Sequence, residues 1–143
     1  MNRLKRNILA TATCLLLATM ASAEVVVVID AASDIEQLSR DQVINIYLGR
    51  HRKLPSGIAA QPVDQPAGDN LRAEFYRRLV DKDLNEINAY WARLHFSGKT
   101  TPPIQAASRT EVLKLVIGKP GGIAYLDRSQ VDSRLRIVLS LSQ

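Results

Sequence analysis

The residues best suited to bind a ligand lie in the stretch 62–72, where an apolar segment ends and an amphipathic one begins. In an α/β domain, the backbone N–H groups at the start of a helix bind anions, and ligands collect at the ends of strands. We therefore predict a ligand site in this turn. Its candidate residues are Asp64, Gly68, Asp69, Asn70 and Arg72.

The two carboxylates of this turn also have structural interpretations. Asp69 stands directly before the predicted helix, where an aspartate accepts hydrogen bonds from the first N–H groups of the helix. Asp64 stands at the end of the predicted strand and is a residue type that forms turns. A third interpretation pairs the two carboxylates for acid–base catalysis or for a divalent cation, although no further ligand accompanies them. The sequence leaves these alternatives open.

Recognisable catalytic motifs are missing from the sequence. His51 and His95 lie on different predicted elements, with no carboxylate at a catalytic or metal-binding spacing. The chain contains neither a GxSxG elbow nor a P-loop. Its single cysteine, Cys14, lies in the apolar run near the N-terminus. We therefore predict that the protein is not an enzyme and uses no cofactor or metal.

Residues 1–23 have the pattern of a cleaved signal peptide. Three basic residues precede an apolar run, and Ala21–Ala23 forms a small-x-small cleavage signal. The apolar run is short and rich in threonine and alanine, which argues against a membrane span. We expect export to the periplasm and a mature chain of residues 24–143 that is not embedded in a membrane. The alternative is an uncleaved N-terminal anchor.

The leader accounts for much of the positive charge. It carries three of the 19 basic residues and none of the 14 acidic ones, so residues 24–143 have 16 basic against 14 acidic residues. The remaining net charge of +2 gives no basis for nucleic-acid binding, and no nucleic-acid-binding motif is present. Because Cys14 leaves with the leader, the mature chain can form no disulfide.

The hydrophobic pattern of residues 24–143 predicts one α/β domain. A continuous β-branched run at 24–30 is typical of a strand buried on both faces. Shorter apolar segments predict strands at 58–63 and 121–126. The segment 134–141 predicts a half-exposed strand at an edge of the sheet, with one apolar face formed by Leu135, Ile137, Leu139 and Leu141.

Four helices are predicted between these strands. Three begin at capping boxes, in which the N-cap side chain and the third helical residue satisfy each other's backbone N–H groups; these start at Ser39, Asp83 and Ser108. The fourth runs to about residue 80 and carries one apolar stripe, formed by Leu71, Phe75 and Leu79. The order β-α-β-α-α-α-β-β predicts a mixed sheet flanked by helices.

Three stretches of the sequence resemble the periplasmic phosphate-binding proteins of ABC transporters. The first is Leu38–Gly49, the second is the strand and Gly-containing loop that lead to the helix with Phe75, and the third is Pro120–Leu126. Their order and spacing match those of the family over roughly residues 24–143. The resemblance implies a short, single-lobe member with one lobe of a type II periplasmic-binding-protein fold. It also implies a small anion or another solute as ligand, and an ABC permease or a membrane sensor as partner.

Two departures from that family stand out. Full members have two lobes and more than twice this length, and this chain resembles their middle and later part without the early loop of the phosphate cage. Where the family has an Arg and a Gly-Ser-Gly-Thr-like turn, this sequence has Asp64 and then 68–71, of which only Gly68 matches.

These acidic replacements disfavour phosphate. A carboxylate about 4 Å from a phosphate charge costs on the order of 4 kcal/mol at an effective dielectric near 20. A helix terminus returns about 1 kcal/mol. Unless Arg72, Lys53 or Arg50 reaches the site, we expect tight phosphate binding to fail.

Two functions follow from these observations. The first is an exported, periplasmic solute-binding-protein-like module, related to phosphate ABC transporter substrate-binding proteins, that binds a small anion at an altered or weakened phosphate site. The alternative is a non-transport interaction or sensing module that has lost the ligand cage. In either case, two copies could pair as a homodimer in place of the missing lobe.

Overall fold

The computed structural model describes residues 23–98 and 100–142. The predicted signal peptide, residues 1–23, lies outside the described residues except for Ala23, so its cleavage stays a prediction. Within the described ranges, no helix combines the length and the apolar character needed to cross a bilayer.

The described chain forms five strands and four α-helices, close to the predicted order. The strands are β1 Val25–Asp30, β2 Gln61–Asp64, β3 Ile104–Gln105, β4 Gly122–Asp127 and β5 Leu135–Leu141. The α-helices are α1 Arg40–Tyr47, α2 Asn70–Val80, α3 Leu84–Ser97 and α4 Arg109–Val116. A short 3-10 helix, Arg128–Gln130, follows β4.

The strands form one mixed sheet in the order β3-β2-β4-β1-β5. β2 pairs in parallel with β3 and with β4, whereas β1 is antiparallel to both β4 and β5. The parallel strands β2, β3 and β4 therefore end together, at Asp64, Gln105 and Asp127, where β1 begins. We call this end the carboxyl end of the sheet.

The central strand β1 divides the core into two layers. Its residues Val25 to Ile29 are all at most 1% exposed, which confirms the predicted burial on both faces. Val25, Val27 and Ile29 pack in the cluster that includes side chains of α1, α2 and α3, and Val26 and Val28 pack in the cluster that includes side chains of α4. Three helices therefore cover one face of the sheet and α4 covers the other.

The helix starts follow the predicted caps with one difference. Ser39 and Asp83 form complete capping boxes with Gln42 and Glu86. Ser108 accepts the N–H of Glu111, but the Glu111 carboxylate accepts from the N–H of Ala107 instead of that of Ser108. The third box is therefore only half formed, because Glu111 reaches the residue before the cap.

The last strand departs from the predicted alternation. β5 does lie at an edge of the sheet, but the pairing passes from Val27–Leu139 to Val28–Ile137, which leaves Val138 as an extra residue. This bulge moves Leu135 and Ile137 to the α4 layer while Val138 and Leu141 face the other layer. The prediction of one apolar face was therefore wrong, because a bulge shifts the two-residue period.

The sequence pattern also missed β3. Two exposed residues, Ile104 and Gln105, pair with Val63 and Asp64 at the edge of the sheet. Two residues after consecutive prolines carry no periodic signal, so the sequence predicts no strand there. The strand predicted at 58–63 begins later than expected, at Gln61.

Two glycines at the start of β4 permit close backbone contacts. A Cβ at Gly121 would lie 2.1 Å from the carbonyl oxygen of Ala59, and one at Gly122 would lie 2.6 Å from that of Leu115. Real side chains do not tolerate such distances, so these positions require glycine. The Gly121-Gly122 pair thus lets β4 pass between the loop before β2 and the end of α4.

Gly121→Ala is expected to lower the free energy of unfolding by on the order of 1–3 kcal/mol, because the added methyl group overlaps the Ala59 backbone. Gly68→Ala is the matched control, since a Cβ there meets no atom within 4 Å. The control should change the free energy of unfolding by less than about 0.5 kcal/mol. Urea denaturation measures both variants, and equal stability of the two would contradict the close approach.

Candidate functional site

The predicted ligand turn lies at the carboxyl end of the sheet. It leaves β2 at Asp64 and enters α2 at Asn70. The start of α4, at Arg109, reaches the same end, because its guanidinium contacts Asp69. Strand ends and helix starts therefore meet here, as they do at ligand sites of α/β proteins.

Asp64 is the centre of a buried polar cluster. Its side chain is 5% exposed, and its Oδ2 lies 2.9 Å from Nε of Arg72. The hydroxyl of Tyr76 donates to the same oxygen at 3.2 Å. The other oxygen, Oδ1, accepts from the Tyr125 hydroxyl and from the backbone N–H of Gln65. Four donors thus satisfy one buried carboxylate.

Arg72 comes from the first turn of α2 and is 6% exposed. Besides the Asp64 contact, its Nη2 lies 3.4 Å from Oδ1 of Asn88 on α3, and its guanidinium lies 5.6 Å from the ring centre of Tyr76. Burial opposes the charged form, but the hydrogen bond and the charge of Asp64 raise the pKa of Arg72 above its usual value. Arg72 is therefore charged and already paired.

The tyrosines of the cluster act as hydrogen-bond donors. Burial first, and then the charge of Asp64, raise the pKa of Tyr76 and of Tyr125 well above the usual value. Both hydroxyls therefore keep their protons and donate to Asp64 at any physiological pH. Tyr125 also stacks on Phe75, with ring centres 3.7 Å apart, which fixes the position of its hydroxyl.

Asp69 caps α2, as its structural interpretation predicted. Its Oδ1 accepts the N–H of Leu71 at 2.8 Å. Arg109 donates to both oxygens, with Nε to Oδ2 at 3.1 Å and Nη2 to Oδ1 at 3.3 Å. Partial burial works in the opposite direction, but the contacts with Arg109 and the Leu71 N–H lower the pKa of Asp69 below its usual value. A carboxylate of the chain itself thus lies where an anion would bind at the helix start.

The five predicted site residues do not form one cage. Asp64 and Arg72 meet inside the protein, whereas Asp69 meets Arg109 nearer the surface. Gly68 and Asn70 are exposed. The predicted alternatives for a cation, Lys53 and Arg50, lie on the loop after α1 and do not line the cavity beside this turn.

That cavity has a volume of about 320 Å³. It is lined by Ala23, Asn70, Leu71, Glu74, Arg109 and Asp127. Arg109 is its one cationic lining residue among those described and is paired with Asp69, while Glu74 and Asp127 add two carboxylates. The lining therefore has more negative than positive side chains and disfavours an anion.

Sequence reasoning missed four residues of this site. They are Gln65, Tyr76, Arg109 and Tyr125, which contact Asp64 or Asp69 in the folded chain. Tyr76 stands four residues after Arg72 on α2, a spacing that places the two side chains on one helix face. Arg109 and Tyr125 are 40 and 61 residues from their partners, so no local pattern indicates them.

Gln65 has one unused hydrogen-bonding atom. The side chain is fully buried, and its Nε2 donates to the carbonyl oxygen of Tyr125 at 2.9 Å. Its Oε1 has no partner within the part of the chain that the structure describes. Nothing in the same part groups three or more His, Cys, Asp or Glu residues at metal-binding distances.

Comparisons with solved structures identify the fold. A protein from Clostridium perfringens, described as a phosphate ABC transporter substrate-binding protein and solved with bound phosphate, matches with a TM-score of 0.64 and 16% identity over 81% of this chain. An ABC-type phosphate transport receptor from Vibrio cholerae matches with a TM-score of 0.63 and 15% identity over 81% of the chain. No family model matches the sequence, and no curated protein matches it by sequence.

The matched region is only part of each of these proteins. This chain covers 44% of the first structure and 45% of the second, so it spans less than half their length. The predicted fold class, a mixed sheet flanked by helices that resembles one lobe of a type II periplasmic-binding-protein fold, is confirmed. At this identity the likeness concerns the fold alone.

Asp64→Ala is expected to lower the free energy of unfolding by about 3–5 kcal/mol, because it leaves the guanidinium of Arg72 buried without its carboxylate. The double variant Asp64→Leu with Arg72→Met removes both charges and should be more stable than Asp64→Ala. Chemical denaturation of both variants measures the difference. A double variant that is no more stable than Asp64→Ala would contradict the buried pair.

A milder variant keeps the buried pair testable if Asp64→Ala does not fold. Tyr76→Phe removes one hydrogen bond to Asp64 and retains the ring, so it should cost about 1 kcal/mol. An unchanged free energy of unfolding in this variant would show that the Tyr76 hydroxyl does not support the carboxylate.

Asp69→Asn separates the charge of Asp69 from its role as a cap, because asparagine also caps helices. At pH 7 the wild type should be more stable by less than about 1 kcal/mol, since the Arg109 side chain is 53% exposed. The pKa of Asp69 is lowered by folding, so this advantage is present above the unfolded pKa near 4 and is lost as the pH falls through the lower folded pKa. Thermal denaturation of both proteins from pH 7 to pH 2 measures it. An advantage that persists at pH 2 would contradict the ion pair.

Proposed function

We propose that the chain is an exported, periplasmic module of the solute-binding-protein type that acts through contact with a protein partner instead of capturing phosphate. The partner would be a membrane component, either an ABC permease or a sensor. This is the interaction or sensing alternative that the sequence left open. Its fold is similar to that of the phosphate transport structures. At the carboxyl end of its sheet, carboxylates of the chain itself occupy the hydrogen-bond donors.

One contact carries this proposal: Asp69 accepts the Leu71 N–H at the start of α2 and is itself held by Arg109. Phosphate is recognised by such N–H groups and guanidinium groups. Here both kinds of donor are occupied by a carboxylate of the protein. An incoming phosphate would have to displace Asp69 or accept its negative charge as a neighbour.

The buried pair supports the same conclusion. Arg72 is the one arginine among the predicted site residues, and the buried Asp64 already neutralises it. Moving Arg72 toward a ligand would leave Asp64 buried with only neutral donors, a change that costs several kcal/mol. Phosphate could therefore bind only if ion pairs of the protein were broken, and this cost would offset most of the favourable free energy of binding.

A second candidate function is weak binding of a small solute at the same end of the sheet. The open cavity of about 320 Å³ beside Asn70 and Arg109 favours it, because it lies within the size range of ligand sites. Of its two lining carboxylates, Glu74 is paired with Arg77 and Arg78, whereas Asp127 forms no ion pair within residues 23–98 and 100–142. The carboxylate of Asp127 favours a neutral or cationic solute over phosphate. Calorimetry with sugars, amino acids and divalent cations separates this candidate from the first.

We expect isothermal titration calorimetry to detect no phosphate or sulfate binding at a dissociation constant below about 1 mM. Asp69→Ser should then introduce measurable phosphate binding, at least about tenfold tighter than in the wild type, because it frees Arg109 and supplies a hydroxyl that still caps α2.

Asp132→Ser is the matched control for that gain. It also removes one carboxylate paired with an arginine, Arg134, but it lies just before β5 and away from the turn. The control should leave phosphate binding unchanged. Micromolar binding by the wild type would overturn the proposed function, and an equal gain in both variants would show that overall charge, and not Asp69, limits binding.

A further inference from the structure

The outer surface of the helical layer contains a second, larger concavity, which we call the helix groove. Its volume is about 670 Å³. It lies between α1 and α3, over the end of α2. The lining residues are Ile44, Leu48, Arg50, Val80, Lys82, Glu86, Ile87, Ala89, Tyr90 and Arg93.

The floor of the helix groove is apolar. Four apolar side chains belong to the core cluster or pack against it and also line the groove: Ile44, Leu48, Val80 and Ile87. Tyr90 closes one wall and donates its hydroxyl to the carbonyl oxygen of Leu48 at 2.6 Å. This bond links α3 to the end of α1, so the width of the groove is fixed by the fold.

Most residues of α3 are not buried against the rest of the protein. Of its 14 residues, only Ile87 and Trp91 are buried. Phe96 is 89% exposed and stands three residues after Arg93, so it lies on the same helix face as the groove-lining Ala89 and Arg93. An exposed phenylalanine beside an apolar groove is typical of a contact surface.

The rim of the helix groove is positively charged. Arg50, Lys82 and Arg93 line it, against one acid, Glu86. Glu86 is engaged within the protein, because it accepts the Asp83 N–H and lies 3.9 Å from Nζ of Lys82. Arg50 and Arg93 form no ion pair within residues 23–98 and 100–142. The uncompensated charge is thus concentrated where the two arginines lie.

We propose that the helix groove binds an acidic amphipathic helix of a partner protein. Apolar side chains of this helix would lie on the floor, and its carboxylates would contact Arg50 and Arg93. The inference rests on the proposed function and deepens it, since it names the surface and the chemistry through which the module contacts its partner.

The geometry favours a helix over an extended segment. Both walls are α-helices, whose backbone N–H and C=O groups are paired within the helix, so the groove offers no strand edge for a peptide to extend. Recognition must then come from side chains, as it does when an amphipathic helix lies in a groove. Two other occupants fit less well. A bilayer surface is flat and does not follow a concave floor. The predicted leader is basic, so the cationic rim repels it.

The test uses a synthetic amphipathic peptide with leucines at positions i, i+4 and i+7 and glutamates on both flanks. A second peptide replaces every glutamate with lysine. Fluorescence anisotropy of the labelled peptides with the purified protein gives both dissociation constants. We expect the acidic peptide to bind at least about tenfold more tightly than the basic one, because only its charge complements Arg50 and Arg93.

Two variants locate the binding. Arg50→Glu with Arg93→Glu should invert the preference between the peptides, and Ala89→Trp should weaken both by filling an exposed part of the groove. Lys114→Glu with Lys119→Glu is the charge-matched control, because these exposed lysines lie in and after α4, on the other face of the sheet. Circular dichroism verifies that each variant is folded.

Each outcome has a defined meaning. The proposal is supported if Arg50→Glu with Arg93→Glu inverts the preference between the peptides while Lys114→Glu with Lys119→Glu leaves that preference unchanged. Vesicles of anionic phospholipid and dodecanoate are titrated in parallel with the peptides. No binding of the acidic peptide, an equal effect of the control, or binding only to the vesicles or to dodecanoate overturns the proposal. Phosphate calorimetry tests the proposed function independently of the groove. Tight phosphate binding would overturn the proposed function, and the peptide experiment would still show whether the groove binds an acidic helix.

Discussion

The buried ion pair between Asp64 and Arg72 is the interaction on which the carboxyl end of the sheet depends. It joins the last residue of β2 to the first turn of α2, and the hydroxyl of Tyr125 connects it to β4. Neither charge can stand alone at such burial, since an unpaired buried charge costs several kcal/mol. The directions of β2, α2 and β4 are therefore coupled through one carboxylate, and the turn between β2 and α2 has little freedom to rearrange.

The same pair is one of two places at this end of the sheet where a carboxylate of the chain occupies the available donors. A strand end followed by a helix start is suited to anions because it offers N–H groups without their own acceptors. In this protein the chain supplies the acceptors, with Asp64 for Arg72 and Asp69 for Leu71 and Arg109. The strand end and helix start that suit an anion are both present, but carboxylates of the chain occupy the donors that an anion would need.

Local patterns in the sequence accounted for most of the fold. The N-caps Ser39, Asp69 and Asp83 and the doubly buried β1 follow from short-range rules, because the groups that decide them lie within a few residues of one another. The bulge at Val138 does not, because it is set by pairing with β1, more than a hundred residues earlier. The pair of Asp69 with Arg109 likewise depends on the relative positions of α2 and α4, which no local pattern in the sequence gives.

The distribution of charge distinguishes the cavity at the carboxyl end of the sheet from the helix groove. At the carboxyl end, the positive charges of Arg72, Arg109 and Arg128 are each matched by a carboxylate at 2.8–3.1 Å. On the helical layer, Arg50 and Arg93 stand beside an apolar floor without such matches in the described ranges. Since residues 24–143 carry only a small positive excess, the placement of charge decides where an anionic group is attracted. The helix groove therefore differs from the carboxyl end in combining unmatched positive charge with exposed apolar area.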